Sequence, residues 1–432
     1  MTREQAQERA LNTEDERKDS MKIRGKLILS AIGIMALIIV YIIVMAVLSD
    51  KNLTGENTPG PVATVTPGST PVQTPANPEP PSPSDNPVPS DNPDATDNPT
   101  DPGNQDNYPG RPGNPGGLVI RTDYEVFKPN EVGEIPIVMF HNFIEAYEEK
   151  TEKEFTTTFA EFEQLLETLY NEGYRLISMA DFIDCNISVP AGCKPMVFTF
   201  DDGTPGQFNL IEENGTLKVN PKSAVGVMVE FSKKHPDFGL RGIFYVNMDR
   251  GNETFKGQGT LRERFEILLS LGFELGTHTW GHVDFSDAKN NNAERIQEAI
   301  GKNQEKAEEI LPGLRFYSMA LPFGSQPVNK DLRPLLVRGV YNNTEYYNES
   351  ILAVGANPSV PSISVKYKSD YVSRIRAQGR VPVDCDLTWW LPRMTSSRMF
   401  ISDGDPSTIV VPEEKLDEVN QDRLGGKKLI TY

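Results

Sequence analysis

Two adjacent carboxylates, Asp201 and Asp202, stand where an apolar run stops, in PMVFTFDDG (195–203). The chain has four histidines, His141, His235, His278 and His282, and three of them follow strand-like runs. Such residues bind metal or move protons. His278 and His282, in ELGTHTWGH (274–282), are spaced i, i+4, which puts both imidazoles on one face if the residues between them make a helical turn. The H-E-x-x-H pattern would need glutamate at 279, where Thr279 stands, so a base must come from elsewhere. Asp201 or Asp202 can supply it. Two histidines, one carboxylate and an open position form the arrangement of catalytic zinc, which lowers the pKa of water and polarises a carbonyl. Either motif alone is weak, since H-x-x-x-H is commonly surface and Asp-Asp-Gly commonly a turn. Their joint occurrence at strand ends, with few other histidines, points to a metal site.

The elements around these residues read as α/β. IPIVMF (135–140), PMVFTF (195–200), GIFYVNM (242–248), FELGTH (273–278) and FYSMALP (316–322) are short apolar runs rich in β-branched and aromatic residues. TFAEFEQLLETLYNEG (158–173) and RERFEILLSLG (262–272) have helical spacing. Parallel strands buried on both faces read as near-continuous apolar runs, and in barrels of such strands chemistry sits at the C-terminal ends. Asp201 and Asp202 obey that rule. Neighbours in extended chain point to opposite sides, so the two carboxylates need not share a task.

The chain has 432 residues, 38% hydrophobic and 24% charged, enough for a large core. A net charge of -18 repels phosphate backbones, and no basic patch offsets it, so no nucleic-acid partner is expected. Three cysteines are too few for a disulfide framework, though Cys185 and Cys193 are near enough to close a short loop. Residues 1–26 read as a cytoplasmic segment, 27–49 as a transmembrane helix, 50–117 as a disordered linker and 118–432 as an extracellular catalytic domain. Leu27 to Leu48 carries no charge and as a helix spans roughly 33 Å. Arg17, Lys18, Lys22, Arg24 and Lys26 flank it, which orients the N terminus inward and predicts a single-pass cell-membrane protein. The linker, with fragments such as PSDNPVPSDNPDATDNPTDPGN (83–104), has almost nothing to bury. It serves as a spacer or as a solubilising stalk. The tail after Ser407 reads as short and partly ordered.

TFDDG (199–203), GTHTWGH (276–282) and ALPFG (320–324), in that order, resemble the polysaccharide deacetylases of carbohydrate esterase family 4 over roughly Ile135 to Met394. The resemblance implies a distorted, incomplete β/α barrel and metal-dependent removal of acetyl groups from acetylated polysaccharide. It makes Asp201 the general base, Asp202, His278 and His282 the ligands of a divalent ion (zinc first, with cobalt, nickel or iron as alternatives), and the Phe323 N–H an oxyanion donor. Two departures stand out. The third motif usually opens with an arginine that orients the base, and here Ala320 stands in its place. The later L-x-H motif has no candidate, since no histidine follows His282. His141, ending the first strand in IPIVMFHN, resembles the acid histidine of the branch acting on poly-N-acetylglucosamine, and first and last strands are neighbours in a barrel. Arg393, in LPRMTSS near Trp389 and Trp390, is the candidate to reach Asp201.

The expected function is therefore membrane-anchored, extracellular deacetylation of N-acetylglucosamine-containing polysaccharide, peptidoglycan or poly-N-acetylglucosamine, with no obligate protein partner. Two alternatives stay open: a deacetylase-like module that binds glycan without chemistry, and an O-acetyl esterase of acetylxylan type.

Overall fold

The computed structural model describes residues 119–377 and 381–432. Its centre is an eight-stranded parallel sheet. In chain order the strands are β1 (Ile137–Phe140), β2 (Tyr174–Leu176), β3 (Lys194–Asp201), β4 (Ile243–Val246), β5 (Glu274–Thr277), β6 (Ser318–Ala320), β7 (Ser350–Leu352) and β8 (Ile375–Arg376). The spatial order is β7-β6-β5-β4-β3-β1-β8, with β2 on the first residues of β3. The two ends of this path approach through one bridge, Leu352 to Val372. The sheet is thus an incomplete parallel barrel.

Side-chain alternation sorts the strands into two packed layers. Met196, Phe198 and Phe200 of β3 join Phe140 and Phe244 against α1 (Phe159–Asn171), α3 (Ala224–Lys234) and α4 (Leu261–Ser270). Val197 faces the other way, with Ile137, Ile243, Tyr245, Ala320 and Leu352. Asp201 shares its parity and so ends β3 on that side. The helices form where the sequence signals their starts: Thr158 with Glu161 and Thr260 with Glu263 make capping boxes at α1 and α4. A short helix, α2 (Met179–Ile183), follows β2, and a long one, α5 (Ala293–Ile310), lies between β5 and β6.

Among the described residues no helix is long and apolar enough to cross a membrane. The expected span at 27–49 and the linker at 50–117 lie outside the described residues. The expectation of a membrane-anchored, single-pass protein is corrected accordingly, and neither the anchor nor a membrane location enters the functional reading. The tail also differs from expectation. Thr408–Val411 pairs in parallel with Lys428–Thr431, and Ile409 and Val411 pack with Val132, Ile363 and Val419. The β-branched run TIVV, with a second apolar segment to pair with, outweighs terminal position. Cys185 and Cys193 are free thiols.

Glu274, at the start of β5, accepts hydrogen bonds from the Met179 and Ala180 N–H groups at 2.7 and 3.2 Å and from the Tyr317 hydroxyl at 2.6 Å. Burial pushes its carboxyl up from 4.5 to about 7, against the pull of those donors. A folded-state pKa above the unfolded one gives stability that is complete below pH 4.5 and lost as pH rises through about 7. Unfolding midpoints at pH 5 and pH 8 should therefore show a loss that is smaller in Glu274→Gln, by at most about 3 kcal/mol.

Candidate metal and proton-transfer site

The C-terminal ends of β1, β3, β5 and β6 bring the candidate residues together. Asp201 is the last residue of β3 and is buried. The chain then turns sharply, with φ of 81° at Asp202 and 64° at Gly203, so the second carboxylate leaves the strand direction. After β5 the chain does the same. The helical turn expected between His278 and His282 is not formed: Thr279, Gly281 and His282 all have positive φ, at 67°, 81° and 46°. This left-handed turn still brings the two rings to 4.8 Å, edge to face. Left-handed conformations in non-glycine residues cost energy and gather where a site needs a particular geometry.

Asp202, His278 and His282 each offer one ligand atom, all within 4.8 Å of one another. From Asp202 Oδ1 to the Nε2 atoms of His278 and His282 the distances are 3.8 and 3.6 Å. Ligands about 2.0–2.1 Å from a tetrahedral zinc ion lie about 3.4 Å apart, so the three donors fit a single ion. The decisive detail is the other nitrogen of His278. Its Nδ1 lies 2.8 Å from the Ala320 carbonyl, which accepts the Nδ1 hydrogen and leaves the Nε2 lone pair facing Asp202. Burial pushes both imidazoles down, which favours the neutral form that a metal needs. Ala320, where an arginine was expected, thus contributes its backbone.

The segment carrying these residues, 188–338, matches the family model described as polysaccharide deacetylase. For that segment, the match bears out the resemblance to the polysaccharide deacetylases. Solved structures similar to this chain include a polysaccharide deacetylase from Bacillus cereus, 18% identical, with a TM-score of 0.44 over 61% of this chain and 69% of that one. A Streptococcus pyogenes deacetylase, PplD, in complex with acetate is 16% identical, with a TM-score of 0.44 over 61% and 98%. IcaB from Ammonifex degensii is 17% identical, with a TM-score of 0.40 over 58% and 94%. No curated protein matches the chain.

The residue that holds Asp201 is Arg374, and the expectation for Arg393 is corrected. Arg374, 0% exposed, donates from Nη1 and Nη2 to the two oxygens of Asp201 at 2.7 and 2.8 Å, from Nε to the Ala353 carbonyl at 2.8 Å and from Nη1 to Thr199 Oγ1 at 3.1 Å. Gly355 makes room: a Cβ there would collide with the Arg374 carbonyl. Arg393 instead lies over the Trp389 ring at 3.8 Å and donates to the Trp389 carbonyl at 2.6 Å. The signal for Arg374 was present in YVSRIRA (371–377), where an arginine immediately precedes the short strand β8. Burial pushes the Asp201 carboxyl up, but the Arg374 charge and hydrogen bonds, with the nearby imidazoles, hold it well below the usual carboxylate range.

His141, just past β1, points its Nε2 at Asp201 Oδ2 from 4.0 Å. Its Nδ1 is buried without a hydrogen-bond partner among the described residues, and its ring lies 5.0 Å from that of Phe155. Burial holds its pKa below the ordinary value, against a smaller upward pull from Asp201 and Asp202. As expected of first and last strands, β1 pairs with β8, Val138 with Ile375. Phe323, in the turn after β6 with φ of 57°, lays its exposed ring 4.6 Å from His282. Arg250, which sequence reasoning did not single out, reaches Asp202 Oδ1 at 3.6 Å and its carbonyl at 3.3 Å. His235 packs on Tyr170 and Phe231, apart from the site.

Proposed function

We propose that this domain hydrolyses acetyl groups on acetylated glycans, with the acetamide of an N-acetylated sugar as its substrate. The observation that carries the reading is the single fixed orientation of His278, whose Nε2 converges with His282 Nε2 and Asp202 Oδ1. Asp202, His278 and His282 would hold a divalent ion, zinc first by donor type, and such an ion supplies Lewis acidity to a water and to the acyl carbonyl. Asp201 takes the proton of the attacking water. Clamped by Arg374 it stays ionised, a fixed acceptor that is weak on its own. His141, whose Nε2 faces Asp201 Oδ2, gives a proton to the departing amine; burial holds its pKa below the ordinary value, and the Asp201 carboxylate offsets only part of that. The Phe323 N–H is the proposed donor to the developing oxyanion.

Acetate release tests the reading. N-acetylglucosamine oligomers should yield acetate, lose that yield with chelator and regain it with zinc. Glycan bound by the metal-loaded protein with no acetate formed would favour a binding module. Acetate released only from acetylxylan would move the substrate to an O-acetyl ester.

A further inference from the structure

Gln207 is fully buried, four residues beyond the Asp-Asp-Gly turn. Its Nε2 donates to the His141 carbonyl at 2.6 Å and to the Asp201 carbonyl. No other orientation of the amide serves, because a flipped Oε1 would face two carbonyl oxygens. Its own Oε1 is left buried without a partner among the described residues. A buried acceptor left unpaired calls for an explanation. The backbone around it is fixed as well. The Gln207 N–H donates to Thr204, the Gln207 carbonyl accepts from Val225 in the first turn of α3, and a Cβ at Gly206 would collide with the Phe143 carbonyl. Thr204 Oγ1 adds a second donor to the His141 carbonyl at 3.2 Å. The same device recurs one strand along. Asn247 Nδ2 donates to the carbonyls of His278 and Thr279, and its Oδ1 is likewise buried and unpaired among the described residues.

We propose that Gln207 is a positioning residue, tying the end of β1 to the end of β3 so that the His141 imidazole is set against Asp201 for protonation of an amine leaving group. The inference rests on the reading of His141 as proton donor given above. It makes a distinction that simple structural support would not. An amine must be protonated to leave, whereas 4-nitrophenolate departs as a stable anion. A misplaced His141 therefore slows amide hydrolysis and spares the aryl ester.

The test uses the metal-loaded full chain with a chito-oligosaccharide and with 4-nitrophenyl acetate. Gln207→Met, of similar shape but without donors, should lower kcat on the amide about 10- to 100-fold, with the ester rate and metal content unchanged. Loss on both substrates alike, or on neither, overturns the proposal. Should Gln207→Met not fold, Gln207→Asn, one methylene too short to span both carbonyls, is read by the same criterion. His141→Ala separates the two ways of failing. A selective amide loss in His141→Ala without one in Gln207→Met rejects only the positioning role. No selective loss in His141→Ala rejects the proton-donor reading itself.

Discussion

Asp201→Asn is expected to lower the rate of acetate release about 10²- to 10⁴-fold while the protein keeps its metal. The amide has nearly the shape of the carboxylate and cannot take a proton from water at neutral pH. Asp202→Asn is expected to fail differently. Asp202 Oδ1 is the only carboxylate oxygen in the three-residue cluster, so its neutralisation should empty the site, and metal per chain should fall with activity. Metal analysis alongside acetate release reads both variants. If Asp201→Asn loses metal as fully as Asp202→Asn, or keeps the parental rate, the division of labour between the two carboxylates is wrong. The comparison must be made on folded protein, because Asp201→Asn also leaves the buried Arg374 cation without a countercharge.

Much of this site was legible from residue type and place. The five strands read from apolar runs are all present, because a strand buried on both faces must be apolar throughout, and PMVFTF at 195–200 falls within β3. Asp202, His278 and His282 do gather into a candidate metal cluster, but through a local structure other than the expected helical turn. Positive φ at Asp202, Thr279 and His282 is not specified by the sequence, since aspartate and histidine only tolerate it and β-branched threonine disfavours it. The strands that escaped notice, β2, β7 and β8, have three residues or fewer, too short for a period to show. Arg374 escaped for a related reason. It lies just before a two-residue strand, and its partner is 173 positions away, so only the pairing of β8 with β1, next to β3, brings the two charges together. Arg393 drew attention because it lies near two tryptophans, and that is where its side chain stays.

Arg374 carries the largest expected effect on stability. Its guanidinium and the Asp201 carboxylate are 0% and 1% exposed and joined by two hydrogen bonds. Removing one member of such a pair strands the other charge in a low-dielectric interior, at a cost of about 3–5 kcal/mol. Arg374→Met should unfold at correspondingly lower urea. Where still folded, it should hydrolyse acetamide at least about tenfold more slowly, since the base has lost both its orientation and its fixed charge. Arg374→Lys restores the charge but not the fork that reaches both carboxylate oxygens, the Ala353 carbonyl and Thr199 together, so it should recover only part of either loss. The double variant Asp201→Asn with Arg374→Met removes both charges and should be more stable than Arg374→Met alone, because a buried ion pair stabilises far less than either lone ion destabilises. Arg393→Ala, at an exposed position, should change stability by no more than about 0.5 kcal/mol and leave the rate unchanged. Equal effects of Arg374→Met and Arg393→Ala on rate would show that Arg374 does not hold the base.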